Sequence, residues 1–193
     1  MLLFFLAATV PAPPVPDPDL LDHYLTEIAA GNQEALAELY RQTKASVYSF
    51  SLSILKNAED AEDVLHDCYV QIFLAADAYQ SLGKPLAWIL TIAKNLCRKK
   101  LREQKHSADL PEEEWMYSLP APEQLGTEER LLLQNCLSRL SSEEQQIVIL
   151  HAVSGFRHRE IASFLSLPLS TILSKYNRAI KKLQSYLREE GIV

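Results

Sequence analysis

Glu160-Ile161-Ala162-Ser163-Phe164-Leu165-Ser166-Leu167-Pro168-Leu169-Ser170-Thr171-Ile172 reads as one helix, a tight turn and the start of another. Ile161, Phe164 and Leu165 share one helical face, and Ala162 is small enough for a second helix to cross closely. A residue before proline is pushed out of the α region, and proline has no N–H to donate, so Ser166-Leu167-Pro168 stops the first helix. With the turn closed by Pro168, neither Ser166 nor Ser170 is expected to need a positive φ. Ser170 or Thr171 can cap the second helix, in which Ile172, Tyr176, Ile180, Leu183 and Leu187 form the buried stripe. Ser170, Leu173, Ser174, Asn177 and Lys181 then face outward, flanked by Lys175, Arg178 and Lys182. Short donors and acceptors followed by cations suit the recognition helix of a helix-turn-helix, which reads base edges and holds phosphates along its flanks.

The string Leu140, Val148, Leu150, Gly155, Glu160-Ile161-Ala162, Leu165, Pro168, Thr171, Ser174, Arg178-Ala179, Leu183 resembles the promoter-reading C-terminal domain of bacterial sigma factors of the extracytoplasmic-function (ECF) type. The output domain of LuxR-type response regulators shares much of this pattern, so a stand-alone LuxR-type transcriptional regulator is the alternative. The N-terminal half separates the two. Ala35-Leu36-Ala37-Glu38-Leu39-Tyr40, Val47-Tyr48, Asp60-Ala61-Glu62-Asp63 with Asp67 and Phe73, and Ala87-Trp88-Ile89 through Ile92-Ala93-Lys94-Asn95-Leu96 resemble, in order, the family's core-binding and promoter-melting region. A receiver domain would alternate strands with helices and place an aspartate at a strand end, and residues 20–105 show neither.

Composition is compatible. Five glycines in 193 residues and few β-branched runs argue for an all-α fold, and 48% hydrophobic residues can build cores. A free-standing duplex binder carries a basic excess to displace counterions, whereas the net charge here is −6. Such acidity favours a protein that meets DNA only after docking on a larger, basic partner. Cys68, Cys97 and Cys136 lack C-x-x-C spacing and read as reduced residues rather than a disulfide frame or zinc site.

Residues 1–19, an apolar run followed by a Pro-rich stretch, read as a flexible extension or a start placed too early, with a secretion signal or a sticky segment covered by a partner as the alternatives. Residues 20–105 carry four helical periods: a short one from Leu20 to Ala30, a long one from Gln33, a third from Ala58 to Ala78 with Val64, Leu65, Cys68, Tyr69, Ile72 and Phe73 in its stripe, and a fourth from about Leu86 to Gln104. Residues 106–127 are an acidic, Pro-interrupted linker, in which Trp115, Met116 and Tyr117 form either a docking spot or local packing. Helical periodicity returns over 128–193, with Ser141 as an N-cap followed by acids.

The resemblance implies two small helical domains that bind core RNA polymerase and direct promoter recognition and transcription initiation, in the cytoplasm and under an anti-sigma factor. It implies no enzyme activity, cofactor, metal or small-molecule substrate. Asp60, Asp63 and Asp67 would dock on basic helices of the polymerase, with carboxylates one helical turn apart. His66, three residues after Asp63, could mimic half of a di-metal site, but that site also needs two further carboxylates projecting inward, and the acids around Asp63 lie on the polar face of their helix. The loop from Tyr79 to Pro85 would receive a base extruded from the minus-ten element, with Tyr79, Lys84, Lys94, Asn95, Arg98 and Arg102 on that DNA. Trp88 falls near the inward stripe and reads as core. Lys99 stands where many relatives carry an acid. On the minus-thirty-five element, Arg157 and Arg159 would touch phosphates, and Ser170, Thr171, Leu173, Ser174, Lys175, Asn177, Arg178 and Lys182 would line the groove. Leu173 stands where many relatives have lysine; it either meets a thymine methyl or is a tolerated exposed apolar residue.

Overall fold

The computed structural model describes residues 16–106, 135 and 137–189, and they fall into two compact units, one within Pro16–Trp115 and one within Met116–Val193. In the first unit α1 spans Pro18–Ala29, started by Pro18 at the first helical position and by the Asp17 carboxylate, which accepts from the Asp19 amide. Leu21, Leu25 and Ile28 on one face of α1 are buried. Gly31 turns the chain at φ +89°, and Asn32 caps α2, Gln33–Leu55, accepting from the amides of Glu34 and Ala35.

The centre of this unit is α2. Every residue from Ser46 to Ser53 is buried, because α1, α3 and α4 all pack against it. Four of those eight are serines, small enough for close helix approach, and a hydroxyl in such a place can return to the backbone. Ser53 donates to the Phe50 carbonyl at 2.6 Å; one turn outside this run, Thr43 donates to that of Leu39 at 2.7 Å. Lys56 ends α2 in the left-handed region at φ 59°, and Asn57 caps α3, Ala58–Ala75, by accepting from the Asp60 amide. The last three residues expected in α3 form instead a 3₁₀ turn, Ala76–Ala78, a common way to tighten a helix end. Phe73, expected in the buried stripe, is 43% exposed: the stripe through Val64, Leu65, Cys68, Tyr69 and Ile72 leaves it on the outer edge, beside exposed Val70 and Leu74. Helix α4 runs from Pro85 to His106.

In the second unit α5 spans Ser142–Ala152, α6 His158–Leu165 and α7 Leu169–Glu189. Ser141 and Glu144 form a reciprocal capping box, each satisfying the other's backbone N–H. Buried Gln145 donates to the carbonyls of Leu137 and Leu140 at the preceding turn, where the Leu137 carbonyl also accepts from the Leu140 amide. Leu137, Leu140, Val148, Ala179, Leu183, Tyr186 and Leu187 form one core cluster, with Tyr176 and Ile180 against it, and Ile147, Leu150, Ile161 and Ile172 are also fully buried.

Two expectations about the turn of the motif are corrected. Helix α7 begins at Leu169, so neither Ser170 nor Thr171 caps it; the carbonyl of Pro168 takes the first helical bonds, from Thr171 and Ile172. Ser166 has φ 57°, because α6 closes with a left-handed residue two positions before Pro168 can act. The linker, its Trp115, Met116 and Tyr117, the N-terminal extension and Cys136 lie outside the described residues.

Candidate nucleic-acid interface

The acidic face of α3 is exposed at Glu62, Asp63, His66 and Asp67, while Asp60 is half-buried. Asp63 and Asp60 do not stand free: Lys100 of α4 lies 2.5 Å from Asp63 and 2.9 Å from Asp60, and Gln104 donates to Asp60 at 2.7 Å. The Lys100 hydrogen bond and charge hold the Asp63 carboxyl below the usual carboxylate range. Asp67 is therefore the freer of the two neighbours on this face. The basic end of α4 divides accordingly: Arg98, Lys99 and Arg102 are exposed, Lys94 is half-buried, and Lys100 is committed to α3. Burial, and then Arg98, lower the Lys94 pKa. Asn95 is exposed on the same helix.

Between these helices lies the loop expected to meet a base. Tyr79 packs its ring on Trp88, centroids 4.9 Å apart, and donates its hydroxyl to Asp22 of α1. Ser81 donates to the other Asp22 oxygen at 2.6 Å. Burial first, and then the Asp22 carboxylate, push the Tyr79 hydroxyl pKa well up, so it stays a donor. Trp88 is half-buried, more a support for Tyr79 than a core residue. Beyond Ser81, Leu82 is 80% exposed, Gly83 has φ +67°, and Lys84 is exposed.

On α7, Ser170, Leu173, Ser174, Asn177, Arg178 and Lys182 are exposed and Thr171 and Lys175 half-buried, so the expected outward face is the outward face. Two of its cations are held by α5: Lys175 lies 2.5 Å from Glu143, and Lys182 2.7 Å from Glu144, whose side chain is only 5% exposed. Burial works to raise the Glu144 carboxyl, but Lys182 and the Ser141 hydrogen bonds outweigh it and leave it below its ordinary value. Arg157 and Arg159 are exposed at the start of α6, while His158 between them turns inward. Its ring stacks on His151 at 4.4 Å, and Tyr176 of α7 meets both edge-on at 4.6 and 5.0 Å. Burial, and then His151, lower the His158 pKa.

Sequence reasoning missed Asp22, Ser81, Lys100, Glu143 and Glu144 as partners of the candidate residues. No local signal could have found them, because each pairs across a wide gap in the chain. Cys68 and Cys97 are free and fully buried, and burial pushes their thiols up to about 12 and about 11. Among the described residues no cluster of His, Cys, Asp and Glu could hold a metal ion, and no helix is long and apolar enough to cross a membrane.

The family model described as Sigma-70 region 2 matches residues 39–107, and that described as Sigma-70, region 4 matches residues 130–183. The chain is similar to the ECF RNA polymerase sigma factor SigK of Mycolicibacterium vanbaalenii, 27% identical over 174 residues, 86% of this chain and 89% of the relative. It is likewise similar to SigK of Mycobacterium tuberculosis, 28% identical over 177 residues, 86% and 93% of the two chains. Among solved structures, the fold is similar to CnrH, solved with the cytosolic domain of CnrY, at TM-score 0.62 and 20% identity over 88% of this chain and 98% of that one. It is also similar to the sigma factor RpoE of Bartonella quintana, solved with the anti-sigma factor NepR, at TM-score 0.62 and 24% identity over 79% and 96%.

Proposed function

Because this chain belongs to the sigma-70 family, in its ECF branch, we propose that its first unit docks on core RNA polymerase and opens the minus-ten element while its second reads the minus-thirty-five element. The observation that carries this division of labour is the coincidence of two ordered family matches with two separately folded units. The protein is a sigma factor, and its contribution to initiation is binding; bond-making belongs to the polymerase.

Docking falls to the α3 face at Asp60, Asp63 and Asp67. Carboxylates one turn apart, facing arginines, give charge-assisted contacts and steer association. Since Lys100 already holds Asp60 and Asp63, a polymerase cation has to compete for them, and Asp67 is available without exchange. On the minus-ten side, Tyr79, Lys84, Lys94, Asn95, Arg98 and Arg102 surround the loop and the exposed face of α4. The exposed guanidinium groups suit phosphates, and the loop suits an unstacked base. On the minus-thirty-five side, Ser170, Leu173, Ser174 and Asn177 lie where a helix in the major groove meets base edges. Arg157, Arg159, Thr171, Lys175, Arg178 and Lys182 fall to the backbones. A net charge of −6 keeps the free protein a weak duplex binder.

The protein works in the cytoplasm, where polymerase and promoters are, and an anti-sigma factor holds it until needed. Support for the latter is that both structural neighbours were solved with a bound partner, named for one of them as an anti-sigma factor. Transcription in vitro with core polymerase on genomic fragments tests the reading. Run-off products that depend on this protein are expected; specific duplex binding by the free protein with no effect on initiation would overturn it and return the LuxR-type alternative.

A further inference from the structure

We propose that Asp22 is a positioning residue for promoter opening: it clamps the first half of the loop 79–85 so that its exposed tip meets the extruded minus-ten base already ordered. The inference rests on the reading of that loop as the base-receiving element. Its geometric basis is one carboxylate with both oxygens engaged, one by the Tyr79 hydroxyl and the other by the Ser81 hydroxyl at 2.6 Å. These partners lie 57 and 59 residues away in the chain and two residues apart from each other, so the contact spans the loop's entry rather than one side chain.

The surroundings make the clamp stiff. Asp22 sits on α1 between buried Leu21 and Leu25, and α1 packs against both α2 and the 3₁₀ turn that leads into the loop. The Tyr79 amide donates to Ala76, closing that turn, and its ring lies against Trp88 on α4. Tyr79 is thus held at backbone, ring and hydroxyl, which leaves it little freedom to stack on a base itself. What the loop then offers is Gln80, Leu82, Gly83 and Lys84, all exposed. Ordering a loop residue costs roughly 1–2 kcal/mol in backbone entropy, and a loop ordered beforehand spares the complex that cost. Freeing Tyr79 and Ser81 restores the cost and allows wrong bases to be accommodated by other loop shapes.

The test uses holoenzyme reconstituted from core polymerase and full-length protein, on a promoter identified by run-off transcription. Its non-template minus-ten strand is varied one base at a time. Discrimination between the preferred base and its alternatives at the extruded position is expected to fall about tenfold for Asp22→Ala, the equivalent of one ordered residue. Asp22→Asn keeps an acceptor for Tyr79 and an amide for the Ser81 oxygen, so it should recover most of the loss. Tyr79→Phe removes one arm of the clamp alone and should give an intermediate value; it also serves if Asp22→Ala does not fold. Unchanged base discrimination in Asp22→Ala, or in Tyr79→Phe where only that variant folds, would overturn the clamp. A photo-crosslinker at Leu82 of the wild-type protein separates the underlying reading. Crosslinks to the minus-ten strand are expected, and their absence would remove the loop from that element and the proposal with it.

Discussion

Ser166 carries the least comfortable backbone in the second unit, a left-handed serine at the end of α6. Relieving that strain with glycine gains about 1–2 kcal/mol, while the freer unfolded chain gives back about 0.5–1 kcal/mol. Ser166→Gly is therefore expected to stabilise the unit by up to about 1 kcal/mol, read from the midpoint of its urea transition. Lys182 requires the opposite caution. Removing it takes the counter-charge from the buried Glu144 carboxylate and leaves it only the Ser141 hydrogen bond, so Lys182→Ala should destabilise the unit by about 1–3 kcal/mol, in addition to any lost phosphate contact. Promoter binding by that variant has to be compared with its unfolding curve. The exposed Ser174 and Leu173 carry no such burden. Substituting either should change the preferred minus-thirty-five sequence by about 1–3 kcal/mol per altered base contact, seen by selection from a randomised element with mutant holoenzyme. If both select the wild-type sequence, the base-reading face is misplaced.

At the junction of α5, α6 and α7 the His158 ring stacks on His151 and meets Tyr176 edge-on, which makes the junction sensitive to protonation of His158. A histidine whose folded pKa lies below its unfolded value binds more protons unfolded. Its contribution is thus complete above the unfolded pKa, about 6.5, and is lost as pH falls from there through the folded value. Protection of the α7 amides against hydrogen exchange, corrected for intrinsic rates, should decline below about pH 6.5, and His158→Gln should flatten that decline. A pH-independent protection in the wild type would remove His158 from the account. On α4 the exposed Arg98 and Arg102 sit apart from Lys100, so their removal leaves the α3–α4 pairs in place. The double alanine variant should weaken open-complex formation and flatten its log–log salt dependence by about one unit per lost phosphate contact. An unchanged slope in the footprint of the melted region would return these arginines to solvent.

For the molecule as a whole, docking on polymerase is where the ion pairs matter most. Reversing both Asp63 and Asp67 to lysine is not a clean test of the docking face, because a lysine at 63 would face Lys100 and disturb the α3–α4 contact as well. Asp67→Lys alone, with Asp63→Asn as its companion, should cut co-purification with core polymerase at physiological salt while the circular dichroism of the first unit stays unchanged. Wild-type recovery of polymerase by both variants would show that this face has been misassigned.

Helix periods, the breaks at Gly31-Asn32 and Asn57, the cap at Ser141 and the outward face of α7 were all legible in the residues. Each depends on neighbours within a turn or two, where spacing alone sets geometry. The family was legible for a related reason, since two ordered strings of such positions carry its pattern. What the chain could not announce were the meetings of Asp22 with Tyr79 and Ser81, Lys100 with Asp63, and Lys182 with Glu144. Those depend on how helices cross, and a crossing is decided by the packing of whole faces rather than by any one residue's period. Phe73 and Ser166 went the same way: one lies at the margin of a buried stripe, the other ends a helix two residues before a proline. In both, the balance between burial and exposure, or between strain and closure, is struck only when the helices have docked.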